Sequence, residues 1–270
     1  MPESEGREAP RAMRIDVRTR FGRLQGNLAV PPGGMRLSEL AWNAMAFDER
    51  LVDMSVKAEA AQGREVSCRK GCGACCRQAV PLSPAEAWMI ADVVAAMPAP
   101  RKGEVMARFT AAHARLQENG FGGRSLTAAG DEEMSALGLD YFRLGIACPF
   151  LEDDSCSIHP NRPSACREFL VSSPAELCSD PSSNEIVPIP TAASLTDALS
   201  RLSAMVMGGE PRAIPMTLAL EWAAANRDAG RKRYDPAQLM GTLFDLLTAA
   251  GEAPGAGPAG GEGPAPESAG

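Results

Sequence analysis

The sequence lacks the residue patterns by which the best-known enzyme classes are recognised. It has only two histidines among 270 residues, and aromatic residues make up 5% of the chain. We find no set of Ser, His and Asp typical of a hydrolase, no P-loop and no glycine-rich dinucleotide fingerprint. Catalysis by a histidine-based nucleophile and nucleotide binding through these motifs are therefore disfavoured.

Long apolar runs and an excess of positive charge are also missing. The best apolar run, AWMIADVVAAM, is too short to cross a membrane and is interrupted by Asp92. The first 22 residues contain no apolar segment typical of a signal peptide, so we expect a cytoplasmic protein with no membrane partner. The formal net charge of -7 argues against nucleic acid as a partner, because a phosphate backbone requires concentrated positive charge.

What the sequence does contain is helical periodicity behind a short β-hairpin. Apolar and polar residues alternate on both sides of Gly22, which predicts a hairpin that ends at Pro31. Apolar residues then recur every three or four positions from Leu37 to about Ala61, as on one face of a long helix. We predict a mainly α protein with a small N-terminal β-hairpin, in which helices surround a cysteine-rich, loop-based metal-binding core.

Further helices and the chain's boundaries follow from capping signals and composition. The segment SPAE at 83–86 matches a capping box and predicts a helix to about Met97. Other helices are predicted near 103–118, 194–207, 214–228 and 236–249, with a loop at 119–131 and a hairpin turning at 152–155. We expect one domain over 13–250, with its cysteine core at about 66–178, and disorder at 1–12 and in the Gly/Pro/Ala tail 251–270.

The eight cysteines are the most informative residues of the chain. In a reducing cytoplasm such a dense set favours metal binding or catalysis over disulfides. Four of them occur within nine residues, CRKGCGACC, at short spacings that allow thiolates to converge on one ion or cluster. We predict that all eight bind metal: Cys68, Cys72, Cys75 and Cys76 in the first block, and Cys148, Cys156, Cys166 and Cys178 in the second.

The surroundings of the two blocks support this interpretation. Gly71 and Gly73 permit tight turns between the cysteines of the first block. Several thiolates around Zn²⁺ or an iron–sulfur core leave net negative charge. Basic residues flank both blocks and are available to compensate that charge: Arg69, Lys70, Arg77, Arg162 and Arg167. Neighbouring side chains tend to diverge, so Cys75 and Cys76 indicate either two sites, a free thiol, or a multinuclear cluster.

These motifs resemble the YkgJ-like cysteine-cluster family, to whose members zinc or iron chelation is ascribed. The shared segments are SCRKGCGACC, CPFLEDDSCSIHPNRPSACREF and a further Cys178. The resemblance implies a cytoplasmic bacterial protein that binds zinc or an iron–sulfur cluster, with a distant relation to flagellin lysine N-methylase proteins. It implies no particular reaction. The family usually has Tyr where His159 stands, so His159 is not expected to be a required ligand, and His113 is expected to be solvated.

Other readings of the cysteines remain open. A purely structural zinc protein, acting in interaction or metal handling, needs only closed four-thiolate sites. A radical S-adenosylmethionine enzyme shares the C-x3-C-x2-C spacing and a GGE segment at 208–210, but its run of βα units is not predicted here. A dithiol redox pair, CGAC, lacks the expected strand–helix context. The sequence thus favours a metal-binding protein, redox-active or engaged in cluster-dependent modification, over these alternatives.

Overall fold

The computed structural model describes residues 11–121 and 131–252, and the chain begins there with the predicted hairpin. Strands β1 (Arg11–Thr19) and β2 (Gly22–Val30) pair antiparallel, with Ile15 opposite Gly26 and Val17 opposite Leu24. Ile15 and Val17 are buried on the inner face. The alternation of apolar and polar residues therefore predicted both the strands and the face that packs on the helices.

Helices make up most of the described residues, which confirms the mainly α class. Their bounds are α1 Leu37–Ala60, α2 Pro84–Ala95, α3 Ala99–Glu118, α4 Asp131–Arg143, α5 Ser164–Glu168, α6 Leu195–Met207, α7 Ala219–Ala225, α8 Arg227–Arg231 and α9 Pro236–Glu252. Two further antiparallel pairs are short: β3 (Pro81–Leu82) with β6 (Ile214–Pro215), and β4 (Leu151–Glu152) with β5 (Ser155–Cys156). Single 3₁₀ turns lie at Ala74–Arg77, His159–Asn161, Ala175–Ser179 and Met216–Leu218.

Local sequence signals account for several helix ends. The Ser83 side chain accepts a hydrogen bond from the Glu86 backbone N–H, and the Glu86 carboxylate accepts one from the Ser83 N–H, so the predicted capping box begins α2. Helix α6 ends at Gly208, whose φ of 79° favours glycine. The GGE segment therefore follows directly on the end of the helix predicted near 194–207.

The hydrophobic core lies where the hairpin and the long helices meet. Helix α1 packs against α2, α2 against α7, and α9 against both β1 and α6. One aromatic contact ties this core to the second cysteine block, since the rings of Phe109 on α3 and Phe150 lie 5.4 Å apart, edge to face. No helix within the two described stretches is long and apolar enough to span a membrane.

Three expectations differ from the structure. Helix α4 was not predicted, and it overlaps the end of the expected loop 119–131, of which 122–130 lie outside the described residues. The helix expected over 214–228 is wrong at its start, because Ile214 pairs with Leu82 in a sheet and Pro215 donates no hydrogen bond to a preceding turn. The expected disordered ends fall mostly outside the described residues, although 11–12 belong to β1 and 251–252 to α9.

Candidate metal centre

The first cysteine block is a loop anchored at both ends to the second. At its start the Ser67 N–H donates to the Val171 carbonyl at 3.0 Å, and the Ser67 hydroxyl contacts the carbonyls of Val171 and Ser173. At its end the Gln78 side-chain amide donates to the carbonyl of Cys178 at 2.8 Å. These bonds join segments about 100 residues apart in sequence and hold the loop over the second block.

A tight turn brings the β4–β5 hairpin against this loop. Asp153 and Asp154 both have positive φ, 47° and 54°, which closes the two-residue turn between Glu152 and Ser155. The Cys148 N–H donates to the Cys76 carbonyl at 2.7 Å, which is a direct backbone link between the two cysteine blocks. The Arg77 guanidinium also donates to the Asp154 carboxylate at 3.0 Å.

Gly73 allows this close approach. A Cβ at that position would lie 2.7 Å from both the Asp154 carbonyl carbon and Leu151 Cδ1, and closer still to the Asp154 oxygen. Gly73 has φ -112° and ψ 11°, so its backbone conformation does not itself require glycine. The absent side chain is needed for space, because the loop and the hairpin pack backbone to backbone at this point.

Two carboxylates, buried Glu86 and half-buried Glu168, fix helix α5, which carries Cys166. The Glu86 side chain on α2 accepts hydrogen bonds from the Ser164 N–H at 2.8 Å and from the Ser164 hydroxyl, at the start of α5. At the end of α5, Glu168 accepts bonds from the N–H groups of Leu195 and Thr196 at the start of α6. Carboxylates at helix N-termini satisfy free N–H groups and complement the helix dipole, so α5 is held at both ends.

All eight cysteines lie in these linked turns and are free thiols. Cys68 and Cys72 are in the loop, Cys75 and Cys76 on the 3₁₀ turn Ala74–Arg77, Cys148 before the hairpin, Cys156 on β5, Cys166 on α5, and Cys178 on the 3₁₀ turn Ala175–Ser179. The two cysteine-bearing 3₁₀ turns pack against each other. Cys178 is buried, and the other seven are half-buried. The structure thus brings residues of both blocks to one region, as the sequence predicted.

Burial is the main influence on the thiols. It raises the pKa of Cys148 to about 12 and, with neighbouring thiols, that of Cys178 to about 11. Burial also raises the pKa of Cys68, Cys156 and Cys166. Cys75 is the exception, because a hydrogen bond from the Cys76 thiol lowers its pKa to about 7. Most of these thiols would therefore stay protonated at neutral pH unless a metal ion displaced the protons.

The charges of the cysteines affect one another's pKa values, and the affected cysteines fall into two overlapping groups. The pKa of Cys178 is raised by the charges of Cys75, Cys68 and Cys72, which all belong to the first block. The pKa of Cys166 is raised by the charges of Cys148, Cys75 and Cys156. The pKa of Cys76 is raised by Cys75, Cys148 and Cys166. Cys75 belongs to both neighbourhoods, which places the adjacent pair Cys75–Cys76 at their junction.

Most of the basic residues that flank the cysteine blocks are paired with carboxylates and are not available to compensate thiolate charge. Arg69 pairs with Glu176 at 3.5 Å, Arg77 with Asp154 and Arg167 with Glu49 at 3.1 Å. Arg162 forms no ion pair within residues 11–121 and 131–252, and its charge lowers the pKa of four cysteines from both blocks: Cys68, Cys75, Cys156 and Cys166. Half-buried Arg162 is therefore the base best placed to compensate thiolate charge.

The remaining polar residues of the motif have structural roles. Glu152, part of the acidic EDD segment, pairs with Arg101 at 2.7 Å and with Arg108, which joins the β4–β5 hairpin to α3. His159 is half-buried, and burial followed by the charges of Arg162 and Lys70 lowers its pKa. His113 is not merely solvated, because its Nε2 lies 2.6 Å from Glu221 Oε2.

The donor set fits zinc or iron in its chemistry but is not arranged as a formed site. Free thiols, once deprotonated, suit Zn²⁺ and iron–sulfur clusters. Among the residues that the structure describes, however, no three or more His, Cys, Asp and Glu side chains stand in metal-holding geometry. Metal binding by these cysteines would therefore require side-chain rearrangement together with loss of protons.

One buried acid near α5 was not singled out from the sequence. Asp48 on α1 is fully buried, and neither of its carboxylate oxygens has a hydrogen-bond partner within the described part of the chain. Burial and the charge of Glu168 raise its pKa well above the ordinary value. Its position on the helix pattern was the only available signal, since Asp48 follows Phe47 near the apolar face of α1.

Comparison with known proteins identifies this region. Residues 67–186 match the CxxCxxCC family, described as "Putative zinc- or iron-chelating domain". The match covers less than half of the chain and contains all eight cysteines. It confirms the cysteine-cluster resemblance drawn from the sequence. No curated protein and no solved structure shows a significant match to the chain.

Proposed function

We propose that this zinc- or iron-chelating domain binds its metal through all eight cysteines, as an iron–sulfur or a zinc protein. The observation that carries the proposal is the convergence of two cysteine blocks, linked by the Cys148 N–H to Cys76 carbonyl bond and by packed 3₁₀ turns. Their half-buried free thiols supply only soft donors. The family match names the same two metals.

The thiols are proposed to form two groups of four. One contains Cys68, Cys72, Cys75 and Cys178, and the other Cys76, Cys148, Cys156 and Cys166. Electrostatic influence on the pKa values of the thiols supports this division for the cysteines other than Cys75. Cys75 acts on both sets and is assigned to the first because that set otherwise has three thiols. The thiols of Cys75 and Cys76 are hydrogen-bonded to each other in this structure, and they would separate on metal binding so that each serves a different group. This answers the difficulty of placing both on one tetrahedral ion.

An iron–sulfur protein that is redox-active or performs a cluster-dependent modification is our first candidate. A cavity of about 360 Å³ lies beside the cysteine region, and Gln78, whose amide is bonded to the Cys178 carbonyl, lines it together with Phe169 and Asn184. No cysteine is among the described residues that line it, so access for a small reactant from this space would be indirect, past Gln78 and the Cys178 backbone. Access of this kind is not needed by a metal that serves structure alone.

A non-enzymatic protein with structural zinc sites is the second candidate. The hydrogen bonds at both ends of the first block, from the Ser67 N–H and from the Gln78 side-chain amide, favour it because they fix the loop in place. A structural site requires four protein ligands and no open position. The radical S-adenosylmethionine alternative gains no support, because the sheets within the described ranges are isolated antiparallel pairs rather than successive βα units.

Anaerobic purification followed by an absorption spectrum and analysis for iron, zinc and acid-labile sulfide tests the proposal. A brown protein with matching iron and sulfide would establish the cluster and direct the search toward electron transfer. A colourless protein with stoichiometric zinc would favour the structural alternative. Protein that binds neither metal after reconstitution would contradict the proposal itself.

Single Cys→Ser variants test the division into two groups. We expect Cys75→Ser and Cys76→Ser each to remove part of the bound metal, whereas the double variant removes nearly all of it. Met205→Ser is a matched control, because it also removes a sulfur, at a side chain that is 65% exposed on α6. Complete loss of metal in either single variant, in protein that stays folded by circular dichroism, would show one shared site instead.

A further inference from the structure

A second cavity, remote from the cysteines, lies between the N-terminal hairpin and the helices α1 and α9. It has a volume of about 150 Å³. Its walls are mainly apolar, and the rings of Phe47 on α1 and Phe244 on α9 meet there edge to face at 5.1 Å. The side chains of Leu40 and Leu243, both buried, also line it. A mainly apolar space of this size holds a group about as large as benzene.

The cavity exists because one inward-facing position of the hairpin has no side chain. Residues on the inner face of β1 and β2 are apolar, and Gly26 lies directly opposite Ile15 among them. A Cβ added at Gly26 would meet only Ile15, at 3.8 and 3.9 Å, which is ordinary contact. Gly26 is therefore not required for close backbone approach, as Gly73 is, and its lack of a side chain leaves open space.

A cation lies at the mouth of this apolar space. Arg50, on α1 one turn beyond Phe47, lines the cavity and is exposed. Across the described ranges its guanidinium forms no ion pair and no hydrogen bond. The arginines that flank the cysteine blocks, by contrast, are mostly paired with carboxylates. An apolar cavity with an unpaired guanidinium at its rim is complementary to a small amphipathic anion.

We propose that this cavity binds a small carboxylate whose apolar part is about the size of a phenyl ring. The ring would occupy the space left at Gly26, beside the Phe47–Phe244 pair, where aromatic edges and faces are favourable neighbours. The carboxylate would lie at the rim and accept hydrogen bonds from Arg50. This site is separate from the cysteine region and does not depend on which metal the thiols bind.

Phenylacetate is the probe that tests the site, with acetate and phenylacetamide as comparison ligands. We expect saturable binding of phenylacetate by ligand-observed nuclear magnetic resonance, with a dissociation constant on the order of 1 mM, as is reasonable for a ligand of this size. Acetate lacks the ring and should bind at least about tenfold more weakly. Phenylacetamide keeps the ring and loses the charge, and should bind about two- to fivefold more weakly.

Two variants locate the binding. Gly26→Val fills the cavity from the strand and should abolish binding of both phenyl ligands, while unchanged circular dichroism shows that the fold is kept. Arg50→Gln should weaken phenylacetate about two- to fivefold and leave phenylacetamide unchanged. Arg14→Gln, an exposed arginine on the outer face of β1, is the matched control and should change neither.

Two outcomes would overturn the whole proposal, and a third would overturn the assignment of an anion. One is absence of saturable phenylacetate binding by the wild-type protein at concentrations up to about 10 mM, which is tenfold above the expected constant. The other is binding that Gly26→Val leaves intact, because the ligand would then lie elsewhere. If phenylacetate and phenylacetamide respond equally to Arg50→Gln, the guanidinium does not recognise the carboxylate and the assignment of an anion is wrong.

Discussion

Replacing Gly73 with alanine tests whether the contact between the cysteine loop and the β4–β5 hairpin holds the centre together. The new Cβ would lie 2.7 Å from the Asp154 carbonyl carbon and from Leu151 Cδ1. Ordinary contacts of this kind are at least about 3.4 Å, and the Asp154 oxygen lies closer still, so the loop and the hairpin would have to separate by more than roughly 0.7 Å. Overpacking against backbone that cannot rotate away destabilises a protein by about 1–3 kcal/mol.

We expect Gly73→Ala to lower both stability and metal content. The separation acts on the same backbone segment that carries the Cys148 N–H to Cys76 carbonyl bond, 2.7 Å long. Lengthening that bond would move the two cysteine blocks apart. Urea unfolding of the apo protein measures the loss of stability, and titration with Zn²⁺ against a chromophoric chelator measures the loss of affinity.

Gly71→Ala and Gly103→Ala separate steric overlap from backbone strain. Gly71 lies in the same loop at φ 90°, with nothing within 4 Å of an added Cβ, so alanine there would be strained by about 1 kcal/mol without any clash. Gly103 lies in helix α3 with open space around it, and alanine there should stabilise by about 0.5–1 kcal/mol. Gly73→Ala protein with unchanged stability and zinc affinity would refute the reasoning.

Three further predictions concern charged residues around the centre. Arg162→Gln should weaken zinc binding about three- to tenfold in chelator competition, because it removes a positive charge that no carboxylate of the described residues neutralises. Arg69 is exposed and paired with Glu176, so Arg69→Gln should leave zinc binding unchanged. Equal effects of the two variants would contradict the role of Arg162. Glu86→Gln should destabilise by about 2–4 kcal/mol in urea unfolding, since an amide cannot accept the bonds of both Ser83 and Ser164; a change below about 0.5 kcal/mol would refute this. Because burial raises the pKa of Asp48 above its unfolded value, stability is lost as the pH rises above about 4. Asp48→Asn should therefore raise the free energy of unfolding by about 1–3 kcal/mol more at pH 8 than at pH 5. A gain that is the same at both pH values would show that the Asp48 charge is not its cause.

Local patterns predicted the elements whose stability is local. The hairpin, α1 and the start of α2 follow from alternation, helical periodicity and the capping box at Ser83, each of which acts within a few residues. Helix α4 escaped prediction because the sequence before it is rich in glycine and loop-like. The pairing of Leu82 with Ile214 joins residues more than 100 positions apart, and nothing near either residue signals it.

The candidate centre shows the same division between local and distant information. The spacing of the cysteines in the sequence identified them as candidate metal ligands. The long-range contacts that bring them together could not be predicted from that spacing. The bond from Gln78 to the Cys178 carbonyl and the two-sided use of Glu86 are examples. The charge of the flanking arginines was evident from the sequence, but which one is free depends on tertiary partners such as Glu176 and Glu49.

The bond between the Gln78 side-chain amide and the Cys178 carbonyl, which joins the end of the first block to the last cysteine, has a consequence for biosynthesis. Cys178 follows Cys76 by about 100 residues, and chains grow at roughly 5–20 residues per second. The four thiols of the first block therefore leave the translating ribosome about 5–20 s before their last partner. During that interval they lack the turns that later hold and partly bury them. The fraction of newly made protein that matures correctly would depend on two conditions. Either metal reaches these thiols early, or they are kept reduced until Cys178 has been synthesised.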